Sequence, residues 1–229
     1  MRAGSGRRYL RDWMPSLFAE QICFKLEIAR PPHVFVNSYA YVYDRHIRLF
    51  DFFQAKDRLT LILPKLWLAK GGKIRVGAPE RQGIHILKSW SPFYHSHYPI
   101  IRGMLKGWMP FCGRILRKLA QPGDVLLSSA EPNLLTTYLY ARLARRLGLR
   151  HVFLTWQNIS YRKRLHGLKL WITEWLLRKN FALNTGGLFG TQQALDTHRD
   201  YIPKGFPTAI VPQSGVDVDI FTPDAKSDF

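Results

Sequence analysis

One stretch constrains the fold of this chain more than any other. Residues Asp124–Ser129 form a short apolar run that ends in two serines, and His151–Trp156 form a second run of the same kind. The segment Asn133–Gly148 between them carries a leucine at every fourth position, which is typical of a helix that packs on one face. A strand, a crossover helix and a second strand form a right-handed parallel unit whose strands are buried on both faces. The stretch therefore predicts an α/β domain built on a parallel sheet.

The predicted crossover helix has two distinct faces. Its apolar stripe, widened by Leu134 and Tyr138, is expected to pack on the sheet, and its arginines are expected to face outwards. Gly148 follows the last turn and suits the left-handed conformation that ends many helices. The stripe consists of Leu135, Leu139, Leu143 and Leu147, and the arginines are Arg142, Arg145 and Arg146.

The rest of the chain continues the alternation of strands and helices, which predicts a Rossmann-like three-layer domain with a mostly parallel sheet. This domain is expected over residues 33–212, after a basic leader at 1–32 and before the start of a linker at 213–229. Pro64–Gly83 is expected to be rich in loops. Further strands are predicted at His33–Asn37, Leu59–Leu63, Ile84–Leu87, Gly186–Gly190 and Thr208–Pro212, and helices at Asp44–Lys56, Tyr161–Asn180 and Thr191–Asp200. The inward face of the second of these helices is predicted to consist of Leu168, Trp171, Ile172, Trp175 and Leu176.

Polar residues follow both strands of the central unit. Ser129, Glu131 and Asn133 come after the first strand, and Gln157 and Asn158 after the second. Open parallel sheets bind ligands at the carboxyl ends of their strands, so we predict that Glu131, Asn133, Gln157 and Asn158 bind substrate. Simpler roles stay open, because a carboxylate is favoured at a helix N-terminus and amides are common in turns. No catalytic general base is identified.

The chain carries 34 Lys and Arg against 16 Asp and Glu, a formal net charge of +18. Such a surface attracts lipid headgroups, phosphorylated substrates or nucleic acids. The segment Ile100–Ala120 has helical apolar spacing with a kink predicted at Pro110, and it is either a core helix or a helix on an anionic membrane surface. Nucleic-acid binding is disfavoured, since the chain has no helix-turn-helix, RNP-type or zinc-finger spacing. The residues predicted to meet anionic headgroups are Arg102, Lys106, Arg114, Arg117 and Lys118.

The cysteines and histidines give no disulfide or metal pattern. Cys23 and Cys112 lie far apart in apolar surroundings, which favours a reducing compartment. His95 and His97 lack a third ligand at a suitable spacing, so no metal is predicted. No apolar run reaches the roughly 18 residues of a membrane span. We expect a cytoplasmic protein, with peripheral attachment to the inner face of the membrane left open.

Five motifs follow one another along the chain: Leu61–Trp67, Ser129–Pro132, Tyr138–Gly148, Phe153–Ile159, and Val211–Asp217 with Phe221-Thr222-Pro223. Together they resemble the N-terminal half of a family 4 glycosyltransferase. The last motif is similar to that family's Gly-Val-Asp…Phe-x-Pro. The resemblance covers residues 33–223 and is strongest after residue 124.

The resemblance implies a GT-B architecture, of which this chain is expected to be one half. In that architecture two Rossmann-like domains enclose a cleft, the N-terminal one holding mainly the acceptor and the C-terminal one mainly the nucleotide-sugar donor. The chain ends at Phe229, so we expect the donor domain to be missing and no cofactor to be bound by this chain alone. One departure from the family is Asn37-Ser38-Tyr39-Ala40 after the first strand, in place of a glycine pair.

These expectations lead to one function hypothesis and one alternative. The chain is predicted to be the acceptor-binding half of a nucleotide-sugar-dependent hexosyltransferase in cell-envelope or polysaccharide assembly, inactive by itself. Its expected partners are a sugar or lipid-linked acceptor, an anionic membrane surface and a separate chain with the donor domain. The alternative is a non-catalytic basic domain of the same fold that serves at a membrane surface or as a scaffold.

Overall fold

The computed structural model describes residues 30–39, 47, 50, 53, 55–69, 72–75, 83–93 and 103–211. The alternation of strands and helices that the sequence predicts is present from residue 85 onwards, whereas no α-helix is described between the strands from residue 59 to residue 89. The strands are β1 Val34–Asn37, β2 Leu59–Pro64, β3 Leu66–Ala69, β4 Gly72–Arg75, β5 His85–Ser89, β6 Val125–Ser128, β7 Arg150–Thr155, β8 Gly186–Phe189 and β9 Thr208–Ile210. The helices are α1 Cys112–Leu119, α2 Leu135–Arg146, α3 Gly167–Leu183 and α4 Gln192–His198.

Seven of these strands form one all-parallel sheet in the order β5-β2-β1-β6-β7-β8-β9. β1 pairs with β2 on one side and with β6 on the other. The predicted parallel unit is present, since β6 pairs directly with β7 and α2 connects them. The arrangement confirms the predicted α/β fold, a Rossmann-like three-layer domain.

Apolar cores cover both faces of the sheet, as buried parallel strands require. On one face, Ile47 packs against strand residues such as Leu61 and Leu127. On the other face, α1 and α2 pack over Leu126, and α3 and α4 pack over Phe153. Neighbouring residues of β6 thus point into different cores, which is the alternation that a strand imposes.

The segment Pro64–Gly83 contains more regular structure than predicted. β3 and β4 pair as an antiparallel hairpin outside the main sheet. Trp67 supplies the apolar anchor, because it is 8% exposed and stacks on Tyr39 with ring centroids 4.7 Å apart. The prediction of a loop-rich stretch is wrong for residues 66–69 and 72–75.

α2 packs on the sheet through a different face from the one predicted. The four leucines of the predicted stripe are only half-buried. Smaller or polar side chains lie against the strands instead, which lets the helix approach the sheet closely while Leu143 and Leu147 fill the margin of the core. The buried residues are Thr136, Thr137, Tyr140, Ala141 and Ala144.

The end of α2 is as predicted. Gly148 has a φ of +69°, the left-handed conformation that glycine adopts without strain. Leu149 N donates to Ala144 O at 2.9 Å and Gly148 N donates to Arg145 O at 3.3 Å. These are the two hydrogen bonds of a Schellman motif.

α3 turns much of its predicted inward face to solvent. Leu168, Trp171 and Trp175 are 70%, 63% and 41% exposed. Of the predicted face, Leu176 is buried and Ile172 is half-buried. The residues buried in α3 are Leu176, Leu177, Asn180 and Phe181. The prediction failed because α3 has apolar residues on opposite sides, so the spacing alone cannot say which side packs.

The segment Ile100–Ala120 is not one amphipathic helix. α1 begins only at Cys112, after Pro110, and residues 103–107 form turns. Gly103 and Gly107 have φ values of +80° and +72°, which a right-handed helix excludes. Within the described ranges, no helix is both long enough and apolar enough to cross a membrane.

Some predictions concern residues outside the described ranges. They include most of the helix predicted at Asp44–Lys56, in which Ile47 is described and is buried. The others are the leader up to residue 29, Cys23, His95, His97, Arg102 and the linker at 213–229.

Candidate functional site

The order of the strands reverses between β1 and β6. From β1 the sheet continues one way to β2 and β5, and from β6 it continues the other way to β7, β8 and β9. Open parallel sheets bind ligands beyond the carboxyl ends of the strands at such a reversal. Here the strand ends are Asn37 and Ser128, which are register partners, and Ser129 N donates to Asn37 O at 3.2 Å. We call this place the β1/β6 edge and define it by Asn37, Tyr39, Ser129 and Glu131.

Glu131 connects the end of β6 to the end of β7. Its Oε1 accepts a hydrogen bond from Trp156 N at 3.1 Å, and its Oε2 accepts one from the Thr155 hydroxyl. Burial raises the pKa of Glu131, and these two hydrogen bonds partly oppose the rise. A buried carboxyl of this kind exchanges its proton closer to neutral pH than a free one, which is common in active sites.

The backbone around Glu131 is fixed by the two helices beneath it. Thr137 Oγ1 donates to Glu131 O at 2.7 Å, and Leu134 N donates to the same oxygen at 3.0 Å. Asn180 Nδ2, on α3, donates to Pro132 O at 2.6 Å. Thr137 is at the start of α2, so the sequence places Glu131 on a rigid helix entry. A side chain held in this way can present a fixed geometry to a ligand.

An aromatic and basic cluster lies next to the β1/β6 edge. The Lys106 Nζ is 4.7 Å from the centroid of the Tyr39 ring and 6.0 Å from that of Trp67. Burial lowers the pKa of Lys106. Burial, and then the charge of Glu131, raises the pKa of Tyr39 to about 12, so its hydroxyl stays protonated at neutral pH. The edge therefore combines a cation, a neutral phenol and a carboxyl.

The turn that carries Lys106 is attached to α2. Thr136 N donates to Met104 O at 3.0 Å, and Thr136 Oγ1 donates to Lys106 O at 3.2 Å. Gly107 has a φ of +72°, and a Cβ at this position would overlap the Tyr39 ring. Only glycine therefore allows this close approach.

Several buried polar atoms near the strand ends have no hydrogen-bond partner in the described structure. Asn37, 3% exposed, has both carboxamide atoms unpaired, and it approaches the Tyr140 hydroxyl without the geometry of a hydrogen bond. Ser129 and Ser89 have unpaired hydroxyls after β6 and at the end of β5, and Trp156 has an unpaired indole nitrogen after β7. Buried polar groups are normally satisfied, so unpaired ones at one edge of the sheet indicate places for a ligand or water.

The four predicted substrate-binding residues follow the carboxyl ends of β6 and β7, but their surroundings differ. Asn133 is half-buried in the turn before α2, and Glu131 is fixed as described. Gln157 Nε2 donates to Ile159 O within its own loop, and Asn158 is exposed. Gln157 and Asn158 follow β7, one strand away from the reversal. The alternative interpretation, in which Gln157 and Asn158 only shape a turn, agrees with the hydrogen bond that Gln157 forms within its loop.

The sequence did not point to Asn37, Tyr39 or Lys106 as members of the site. The polar pair Asn37-Ser38 after a predicted strand was a signal for Asn37, because ligands bind at strand ends. No local pattern shows that β1 lies beside β6, or that Lys106 lies over Tyr39.

The five residues predicted to meet anionic headgroups do not share one helix face. Arg102 lies outside the described ranges, and Lys106 is half-buried over Tyr39. Arg114, Arg117 and Lys118 are exposed on α1, which is only 8 residues long. The expectation of a single basic amphipathic helix is wrong because turns and Pro110 separate Lys106 from α1.

A buried chain of hydrogen bonds joins Ser128, His151 and Asn184. Ser128 Oγ is 2.7 Å from His151 Nε2, and His151 Nδ1 bonds to Asn184 Oδ1. Burial lowers the pKa of His151 to about 4. The residue types match a nucleophile triad, but their side chains are 0%, 1% and 7% exposed. Their polar groups are paired with one another and with the backbone, unlike those of Asn37 and Ser129, so we interpret this chain as part of the core.

Among the described residues, no three His, Cys, Asp or Glu side chains are arranged to hold a metal ion. The chain matches no protein-family model and no curated protein.

Proposed function

We propose that this chain is the acceptor-binding half of a nucleotide-sugar-dependent hexosyltransferase of the cell envelope or of polysaccharide assembly. One observation carries the proposal: a buried carboxyl, Glu131, and the unpaired Asn37 and Ser129 side chains lie at the reversal point of a parallel sheet. Sugar hydroxyls both donate and accept hydrogen bonds, so amide and hydroxyl groups of this kind suit them. Two of the motifs that resemble a family 4 glycosyltransferase lie at strand ends beside this site: Ser129–Pro132 follows β6, and Phe153–Ile159 covers the end of β7.

The residues of the β1/β6 edge take distinct roles in this proposal. Asn37 and Ser129 bind acceptor hydroxyls and thereby gain the partners that they lack. Glu131 accepts a hydrogen bond from an acceptor hydroxyl, or its proton, and burial makes this carboxylate a stronger base than a free one because it raises the pKa. Asn133 lies at the rim of the same edge. The nucleotide-sugar donor is supplied by a second domain or chain, and no donor contact is assigned to these residues.

Ligand-observed NMR on the 229-residue chain tests the proposal with neutral mono- and disaccharides and, separately, with UDP-, GDP- and ADP-sugars. We expect saturation transfer to a subset of the sugars, loss of that signal in Glu131→Gln and in Asn37→Leu, and none to the nucleotide moieties. Glu174→Gln is the matched control, because this carboxylate on α3 already has its own partners, Arg162 and Tyr201, and is not part of the β1/β6 edge.

Two results would overturn the proposal. If no sugar binds, or if Glu131→Gln and Glu174→Gln bind equally well, the β1/β6 edge is not a sugar site. If the chain binds a nucleotide sugar through its nucleotide, the division between acceptor and donor halves is wrong.

A further inference from the structure

The outer face of α3 is apolar and aromatic. Leu168, Trp171 and Trp175 lie on this face and are 70%, 63% and 41% exposed. The opposite side of the same helix buries Leu177 and Phe181 in the core. A helix with apolar residues on opposite sides is normally covered on both, so this face indicates a partner outside the domain.

A basic groove adjoins this face. It has a volume of about 480 Å³ and lies between α2 and α3, lined by Tyr138, Arg142, Arg145, Arg146 and Leu183. Tyr138 joins the groove to the outer face, since its ring centroid is 6.0 Å from that of Trp175. The Arg142 guanidinium carbon lies 5.7 Å from the Tyr138 centroid.

The arginines of the groove are available to an anion. α2 contains no acidic residue. Arg145 and Arg146 are exposed, and none of the three arginines forms an ion pair within the described part of the chain. The one acidic residue of α3, Glu174, is already paired with Arg162 at 2.8 Å. The face therefore presents exposed tryptophans beside uncompensated positive charge.

We propose that the outer face of α2 and α3 docks on an anionic lipid bilayer. Trp171, Trp175 and Leu168 enter the interfacial region, where indole rings are favoured because one end is apolar and the other can donate a hydrogen bond. Arg142, Arg145 and Arg146 bind lipid phosphates beside them. An apolar stripe flanked by basic residues is the pattern of helices that lie in a bilayer interface.

Two other occupants fit less well. A second copy of this chain, related by a two-fold axis, would bring both sets of arginines into one interface, and α2 has no acidic residue to oppose them. A single-stranded nucleic acid would stack its bases on tryptophan, but Leu168 and Ala182 on the same stripe offer no stacking surface. An anionic bilayer satisfies both the apolar and the basic parts. The proposal does not depend on the sugar site at the β1/β6 edge.

Vesicle flotation with the full chain tests the proposal, using vesicles of phosphatidylcholine alone and vesicles that also contain phosphatidylglycerol. We expect binding to the anionic vesicles only, weakening as salt is added. Trp171→Ala/Trp175→Ala should lower the partition coefficient at least tenfold. Trp175 also contacts Tyr138, so urea unfolding of this variant checks that the domain remains folded under the conditions of the flotation. Trp90→Ala, at a tryptophan that is 52% exposed on another part of the surface, is the matched control.

The charge requirement is tested by two triple variants with the same net charge. Arg142→Ala/Arg145→Ala/Arg146→Ala should lower binding at least tenfold, while Arg114→Ala/Arg117→Ala/Lys118→Ala on α1 should lower it less than threefold. Equal losses in the two would mean that the overall charge, and not this face, attracts the vesicles, and would overturn the proposal.

Three further outcomes would also overturn it. They are no binding to anionic vesicles, a dimer in light scattering that Trp171→Ala/Trp175→Ala dissociates, and binding to single-stranded RNA that depends on the same tryptophans.

Discussion

The residue that most tightly restricts the β1/β6 edge is a glycine. Gly107 combines a positive φ with direct contact to Tyr39, and its neighbour Gly103 has a similar φ of +80° but open space where a Cβ would lie. A substitution at Gly103 would therefore cause backbone strain alone, whereas one at Gly107 would cause both backbone strain and steric overlap. No sequence pattern distinguishes these glycines, because the difference comes from Tyr39, which is distant in the chain.

Substituting these two glycines gives a prediction. Gly103→Ala should cost about 1–2 kcal/mol of unfolding free energy, since an L-residue is strained in the left-handed region. Gly107→Ala should cost a further 1–3 kcal/mol or so, because the new methyl group must displace the Tyr39 ring. Urea unfolding measures the loss of unfolding free energy in each variant. Equal losses would show that the turn can yield without disturbing Tyr39.

Among single residues, Glu131 shows how far a polar residue after a predicted strand can indicate a binding site. Its place after a predicted strand indicated a site, and its burial and bonds to β7 agree with a fixed carboxyl at that edge. Gln157 and Asn158 gave the same signal, yet Gln157 bonds within its own loop. A polar residue at a strand end can face a ligand or close a turn, and only the tertiary contacts distinguish the two.

Among the elements, β1 and β6 are held together at both ends. At the carboxyl end, Asn37 and Ser129 share a backbone hydrogen bond. At the other end, the Asp124 carboxylate, 1% exposed, accepts hydrogen bonds from Arg30 at 2.7 Å, His33 N at 2.9 Å and Gln121 N at 2.8 Å. Asp124 thus ties the entry of β1 to the entry of β6.

Removing the Asp124 charge should destabilise the domain. In Asp124→Asn, an amide group replaces one carboxylate oxygen, so a half-buried backbone N–H, of Gln121 or of His33, loses its acceptor and Arg30 loses its counter-charge, which should cost about 1–3 kcal/mol. Asp196→Asn is the control, because its pair with Arg199 is exposed and is worth at most about 0.5 kcal/mol. Denaturant unfolding compares the two. Similar small losses in both would mean that Asp124 does not hold the strands together.

The helices show how periodicity predicts an element better than its orientation. The approximate length and the C-terminal end of α2 followed from leucine spacing and Gly148, but smaller or polar residues on another face pack on the sheet. α3 was also predicted as a helix, but with the exposed tryptophans inward. In both cases the chain offers apolar residues over more than one face, and the available space beside the strands decides between them.

For the molecule as a whole, buried and half-buried histidines link stability to pH. Burial lowers the pKa of His33, of His198 and, to about 4, of His151. For each group the folded pKa lies below the unfolded value, so the unfolded chain binds more protons as the solution becomes acidic. The stability they contribute is fully present above pH 6.5 and is lost as the pH falls towards 4. Glu131 has a raised pKa and acts in the opposite direction.

We predict that the unfolding free energy decreases from pH 6.5 to pH 4.5, with His151 contributing at most about 3 kcal/mol by pH 4. Urea titrations across this range measure the slope. His151→Gln should reduce the slope whatever its effect on stability at neutral pH, while His166→Gln, an exposed histidine, should leave it unchanged. An unchanged slope in His151→Gln would show that this imidazole is not the buried neutral group described.

The sequence by itself determined the class of the fold. Alternating apolar runs and helical periods are local properties, and they specify strands, helices and a parallel sheet within a few residues. Strands joined by a short connection usually lie side by side, which is why β6, α2 and β7 were predicted correctly.

Only the tertiary structure decided where the site lies. Asn37 and Ser128 are far apart along the chain, and they become partners because the sheet reverses its order between β1 and β6. The same folding brings Lys106 over Tyr39 and leaves Trp171 on the surface. The physical reason is that periodicity depends on neighbouring residues, whereas adjacency and burial depend on how all the elements share the space around one sheet.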